Sequence, residues 1–177
     1  MDKIEGTRLY LRTFEAKDED TLFQLYKQPA VCKYLLHEPW TSANSAEAFQ
    51  KKCAQKRLSH QTALSLAVVY DHRVIGDLSV WRTGQPDCVE IGYAFDPAYS
   101  GQGFAQEALQ LLINWLFSTQ QVHRIQATLD ARNTPSANCC RRIGMREEAH
   151  FIQDWWNKGQ WTDSLVFGLL AAEWAQK

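Results

Sequence analysis

Between residues 63 and 129 the spacing of apolar side chains changes period twice, and this restricts the folds open to the chain. ALSLAVVY (63–70), RVIGDLSVW (73–81) and CVEIGYAF (88–95) read as strands, separated by the turn signals Asp71-His72 and Gly84-Gln85-Pro86-Asp87. They predict an antiparallel meander. Residues 104–117 then place Ala105, Ala108, Leu109, Leu112 and Leu116 at helical spacing, the stripe of a helix packed on a sheet. HRIQATL (123–129) returns as a strand, so strand, helix and strand form a right-handed crossover that sets two strands side by side and parallel.

The flanks add further elements. TRLYLRT (7–13) alternates Leu9 and Leu11 with polar neighbours and predicts a half-buried strand. Asp18 is expected to cap a helix carrying Leu22, Leu25 and Tyr26 and ended by Pro29, and residues 45–58 to form a polar surface helix. Between them VCKYLLHEPW (31–40) either walls a pocket or packs beneath a loop. A short helix starts near Pro135 and stops at Gly144, and strands over 145–155 and 160–170 flank the turn Asn157-Lys158-Gly159. The expected architecture is α+β: a single domain over 1–177 with a mixed, mostly antiparallel sheet of about seven strands flanked by helices.

Charge and cysteine content narrow the partners. With 19 basic and 20 acidic side chains interspersed, the net charge of -1 offers no field for a polyanion, so nucleic acid is not expected. The start, MDKIEGTRLY, is too polar for a signal peptide, and no apolar run approaches the roughly 20 residues that cross a bilayer. No membrane partner and a cytoplasmic location are expected. Five cysteines without a CxxC pair suit a reducing compartment, and no metal-ligand spacing is present.

The stretch AYSGQGFAQEAL (98–109) sets Gly101 and Gly103 immediately before a helix. A helix start presents unpaired N–H groups and the positive end of its dipole, and glycines let an anion such as phosphate reach them. The same pattern also serves as a plain turn feeding a helix. A dinucleotide fingerprint would need a third glycine where Gln106 stands, and a P-loop would need Gly-Lys-Ser/Thr.

Ser100-Gly101-Gln102-Gly103-Phe104-Ala105 resembles the Gln/Arg-x-x-Gly-x-Gly/Ala loop of the GNAT superfamily of acetyl-coenzyme A-dependent N-acetyltransferases, with Ser100 in place of the usual first residue. Asn133 to Met145 is similar to that family's Asn-x-x-Ser/Ala…Gly-Phe/Met segment. TRLYLRTFEAKD, EPWT and GQWTDSLVFGLLAAEW look like its Rim-type branch, which includes ribosomal-protein N-terminal acetyltransferases. The resemblance implies the GNAT fold, with its fourth and fifth strands splayed and the pantetheine arm of acetyl-CoA between them. It further implies diphosphate contacts along residues 100–105, backbone bonds from Tyr93 and Phe95 to pantetheine, and cofactor contact by Asn133 and Ser136. Asn133 equally suits the cap of its own helix.

Acetyl transfer to an amine needs a neutral nitrogen, stabilisation of an oxyanion and a proton for the departing thiolate. On CVEIGYAF, Glu90, Gly92 and Ala94 share one face, and Glu90 stands where several GNAT enzymes carry a general base. Neutralising a lysine-like amine at pH 7 costs about 4–5 kcal/mol, and a chain-terminal amine only about 1–1.5. Many of these enzymes protonate the thiolate with a tyrosine seven residues after the asparagine; here Cys140 stands there, either as a proton donor or as helix packing. A Cys140 hydrolase with His123 or His150 lacks an oxyanion motif. Trp40, Trp155, Trp156 and Trp161 would clamp an acceptor, fill core or form a dimer contact. The leading expectation is an acetyl-CoA-dependent N-acetyltransferase acting on a primary amine such as a protein N-terminus, as monomer or homodimer. The alternative is a catalytically weak acyl-CoA-binding or sensing protein.

Overall fold

A computed structural model describes residues 3–176. In chain order the elements are β1 (Ile4–Glu5), β2 (Leu9–Thr13), α1 (Glu19–Tyr26), α2 (Pro29–Cys32), α3 (Ser45–Ala54), β3 (Leu64–Tyr70), β4 (Arg73–Arg82), β5 (Cys88–Phe95), α4 (Phe104–Ser118), β6 (Arg124–Asp130), α5 (Thr134–Ile143), β7 (Arg146–Asn157), β8 (Gln160–Leu170) and α6 (Ala171–Trp174). The strands form one sheet in the order β1-β2-β3-β4-β5-β6-β8-β7, antiparallel except between β5 and β6. The expected count of about seven strands becomes eight, because Ile4 and Glu5 pair with Leu11 and Tyr10. Two residues carry no alternation from which a strand could be read.

The sheet separates two apolar cores. Leu9, Leu11, Val89 and Ile91 pack with Leu109, Leu112, Leu116 and Cys140 from α4 and α5. On the opposite face Ala67, Val69 and Ala94 pack with Leu22, Tyr26, Trp40 and Phe49 from the α1–α3 region. Both faces of β3 are therefore buried and largely apolar, which explains why its alternation in the sequence is imperfect.

Two helix boundaries depart from expectation. Asp18 does not cap α1 with its side chain; its carboxylate takes a bidentate pair from Arg12 of β2, at 2.5 and 2.8 Å, and accepts the Glu15 N–H. Both groups are buried, so the carboxylate needs a cation more than the helix needs a cap. Helix α3 stops at Ala54, short of residue 58, because the Gln55 carbonyl accepts the Ser65 N–H and its side-chain oxygen accepts the Ser65 hydroxyl. The end of the helix is spent on joining β3.

A charged cluster lies under the α1–α3 face. Asp77 of β4 is 1% exposed and accepts the Tyr26 hydroxyl and the Lys52 ammonium, each at 2.5 Å. Burial beside this carboxylate pushes the Tyr26 hydroxyl far above its ordinary pKa, so it stays a donor. Lys52→Met leaves the carboxylate without its cation. The expected result is a loss of about 3 kcal/mol in unfolding free energy, read from the urea midpoint.

Candidate active site

The parallel pairing of β5 with β6 covers only three positions: Cys88 with Arg124, Val89 with Ile125 and Glu90 with Gln126. Beyond them β6 continues to Asp130 paired only with β8, and β5 continues to Phe95 paired only with β4. The two strands part. Residues 91–95 thus keep one backbone edge without a strand partner, which leaves N–H and C=O groups for an extended ligand. This is the expected splay of the fourth and fifth strands; with β1 counted they are β5 and β6.

Glu90 sits at the last paired position before the split, and Gln126 holds its carboxylate through an N–H···O bond of 3.0 Å. Gln126 was not singled out from the sequence. Only the crossover brings residue 126 beside residue 90, and the parallel register is invisible in local patterns. Gly92 follows on the same face, where a Cβ would lie 3.3 Å from the Trp81 ring. Trp81, opposite Glu90 in the β4–β5 register, lines a cavity of about 590 Å³ together with His37, Glu38, Trp40, Lys52 and Ser79. Trp40 is at once a pocket wall and a core residue, stacking on Tyr26 at 4.7 Å.

The final hairpin borders the same side. At its tip Lys158 donates to the Cys32 carbonyl and Asn157 to that of Leu35, tying the turn to the 31–40 segment. Trp155, Trp156 and Trp161 are about half exposed, which removes the core-filling option raised from their composition.

On the α4/α5 face, Tyr93 and Phe95 pack against the core and each other, ring centroids 6.4 Å apart. The Tyr93 hydroxyl accepts the Ser136 hydroxyl at 2.7 Å, donates to the Ser136 carbonyl at 3.1 Å and lies 3.3 Å from the Cys140 sulfur. Cys140 is fully buried, and burial raises the pKa of its thiol, so it stays protonated at neutral pH. Its polar neighbour is Tyr93 and not a histidine; His150 bonds to Asp163 instead. No activated thiolate of a Cys/His hydrolase is formed. Asn133 caps α5, its side-chain oxygen accepting the Ser136 N–H at 3.3 Å.

The glycine loop follows β5. Asp96 caps the turn Pro97–Tyr99, and Ser100 closes it onto the Pro97 carbonyl. Gly101 and Gly103 both take left-handed backbone conformations, φ +75 and +80, and Gly103 is the N-cap of α4 with no side chain capping it. A Cβ at Gly101 would meet nothing within 4 Å. Glycine is demanded there by the backbone turn, and the first amides of α4 have no carbonyl of their own helix to bond. Phe104 is buried against Tyr70, and Ala105 packs partly on the core. Ser100 and Gln102 are exposed.

A helix start with open amides, followed across the sheet by two strands that part at a carboxylate, is an arrangement suited to a phosphate-tailed thioester. Residues 8–146 match the family model described as an acetyltransferase (GNAT) domain. The chain belongs to the GNAT acetyltransferase family. It is 32% identical to the uncharacterized N-acetyltransferase p20 of Bacillus licheniformis over 178 residues, 99% of each chain. The structure of a GNAT-family acetyltransferase from Bacillus anthracis superposes with a TM-score of 0.88 at 27% identity, over 97% of this chain and 100% of that one. RimL, a ribosomal L7/L12 alpha-N-protein acetyltransferase solved with coenzyme A linked by a disulfide to one of its cysteines, shares the fold with a TM-score of 0.85. Its identity is 20%, over 97% of this chain and 99% of that one. The protein is thus an acetyl-CoA-dependent N-acetyltransferase. Among the described residues no helix is long and apolar enough to cross a membrane, and no three His, Cys, Asp or Glu side chains group as metal ligands would.

Proposed function

We propose that this acetyltransferase binds the diphosphate of acetyl-CoA at the amides of residues 101–105 and transfers the acetyl group through the split between β5 and β6 to a primary amine activated by Glu90. The observation that carries the reading is the end of β5–β6 pairing at Glu90 and Gln126. Tyr93 and Phe95 project to the α4/α5 face and Glu90 to the α1–α3 face, so the opening joins a thioester on one side of the sheet to an amine on the other. In this reading the unpartnered edge of residues 91–95 bonds the pantetheine arm, and Asn133 and Ser136 flank it. Their existing bonds, the α5 cap and the contact with Tyr93, also fix the wall they form.

The chemistry follows from that placement. Glu90, steadied by Gln126, takes a proton from the incoming ammonium directly or through water, and the neutral nitrogen then attacks the thioester carbonyl, forming the C–N bond. The C–S bond then breaks, Cys140 with its hydrogen-bonded Tyr93 supplies the proton that the thiolate takes up, and the surplus proton on the new amide nitrogen is released to restore the Cys140 thiol. A thiol held protonated by burial is suited to giving a proton, not to attacking. Cys140→Ala should lower kcat about tenfold while leaving acetyl-CoA affinity within twofold; an unchanged kcat removes Cys140 from the mechanism.

The acceptor in this reading is a chain-terminal amine in the cytoplasm, entering past Trp81 and the 31–40 segment. The RimL neighbour, named for action on an N-terminal α-amine, favours it, and the cavity is wide enough for a side chain beside the amine. Thiol release measured with peptides of free and blocked N-termini, and with polyamines, tests it. Turnover that requires a free peptide α-amine supports the proposal; turnover with polyamines alone contradicts it.

A further inference from the structure

Arg8, in the bend before β2, reaches the glycine loop across 94 residues of sequence. Its Nη1 donates to the Gln102 carbonyl at 2.9 Å, its Nε and backbone N–H donate to the two oxygens of Glu107 at 2.7 and 2.8 Å, and its guanidinium lies over the Phe104 ring at 4.4 Å. Its Nη2 stands 3.4 Å from where a Cβ on Gly103 would project. These contacts hold a fork against the mouth of the loop, yet the side chain remains 43% exposed, so burial of an apolar stem is not what keeps it there.

We infer that Arg8 is a positioning residue for acetyl-CoA: it pins the Gln102–Gly103 peptide plane and neutralises Glu107, so that the loop presents amides and no net negative charge to the diphosphate. In a trans peptide the carbonyl and the following N–H point in opposite directions. Fixing the Gln102 carbonyl on Arg8 therefore turns the Gly103 N–H away from it, toward the open side. The plane needs fixing because glycines stand on both sides of Gln102 and take either sign of φ at little cost. Glu107, in the first turn of α4, favours the helix dipole but would repel a diphosphate at the same helix end. Arg8 keeps the first effect and cancels the second. Arg8 thus brings a cation to the mouth of the loop from the bend before β2.

The inference rests on the diphosphate reading above, and a donor without a diphosphate separates the two. Arg8→Met, Arg8→Lys and Arg8→Met with Glu107→Gln are compared using acetyl-CoA and S-acetylpantetheine, against one amine acceptor. For Arg8→Met, KM for acetyl-CoA should rise about 10- to 50-fold with kcat within threefold, the scale of one or two charge-assisted bonds. Its kcat/KM with S-acetylpantetheine should stay within twofold. Adding Glu107→Gln should recover at least threefold with acetyl-CoA, since the repelling carboxylate is gone. Arg8→Lys, which keeps the charge without the fork, should show the same donor-dependent split at smaller size and serves if Arg8→Met does not fold. Equal losses with both donors, or no loss with acetyl-CoA, would overturn the role of Arg8. If the unaltered enzyme used both donors equally well, the diphosphate reading itself would fail first.

Discussion

Gly101→Val should weaken acetyl-CoA binding by at least about 30-fold, the loss of one or two hydrogen bonds to a charged group. Gly101 holds φ +75, a conformation that costs an L-residue about 1–2 kcal/mol and a β-branched one more. No protein atom lies within 4 Å of the added Cβ, so the damage is not a clash inside the fold. The valine relaxes the turn out of the left-handed region, or its methyls stand where the diphosphate must approach the amides. Gly159 supplies the control: it has φ +78 and equally open surroundings, but lies in the β7–β8 turn. Gly159→Val should cost similar stability and leave acetyl-CoA affinity unchanged. Isothermal titration with acetyl-CoA, beside thermal midpoints for both variants, reads the two effects apart. A similar loss of affinity in both variants would mean that general destabilisation, not the loop, governs binding.

Glu90→Gln should reduce kcat/KM at pH 7 by about 10²- to 10³-fold for an amine of high pKa, the usual contribution of a positioned base. The deficit should shrink as the pH rises, because solution then supplies the neutral amine that Glu90 otherwise generates. For a terminal amine, which titrates near 8, the effect should be confined mainly to pH below about 8. The amide variant preserves shape and still meets Gln126, so the comparison isolates the charge. A pH–rate profile that is parallel for the two enzymes would take Glu90 out of the reaction.

Much of this arrangement could be read from the chain. Alternation gave seven of the eight strands, the last of them with the bounds 160–170, and the switch to helical spacing after Gly103 placed α4 at the loop. Those signals are local: a period of two or 3.6 is set by the backbone and by which side faces the core. What escaped was fixed by groups distant in sequence. Asp18 suits a helix cap until Arg12 arrives from a strand and takes both its oxygens. Residues 55–58 have helical composition, but Ser65 claims the Gln55 carbonyl. Gln126 and Arg8 are an ordinary strand amide and an ordinary exposed arginine in the sequence, and they acquire roles only beside Glu90 and Gln102. The exposed tryptophans of the last hairpin show the same limit: composition marked them as unusual, and only their exposure in the folded β7–β8 hairpin shows that they do not fill core.

A crystal structure of the complex with coenzyme A tests the central claim most directly. The account predicts diphosphate oxygens at about 2.7–3.2 Å from amide nitrogens of residues 101–105, with the pantetheine arm along residues 91–95 and its sulfur at the opening beside Glu90. A diphosphate bound away from this loop, or a pantetheine arm lying outside the parted strands, would contradict it.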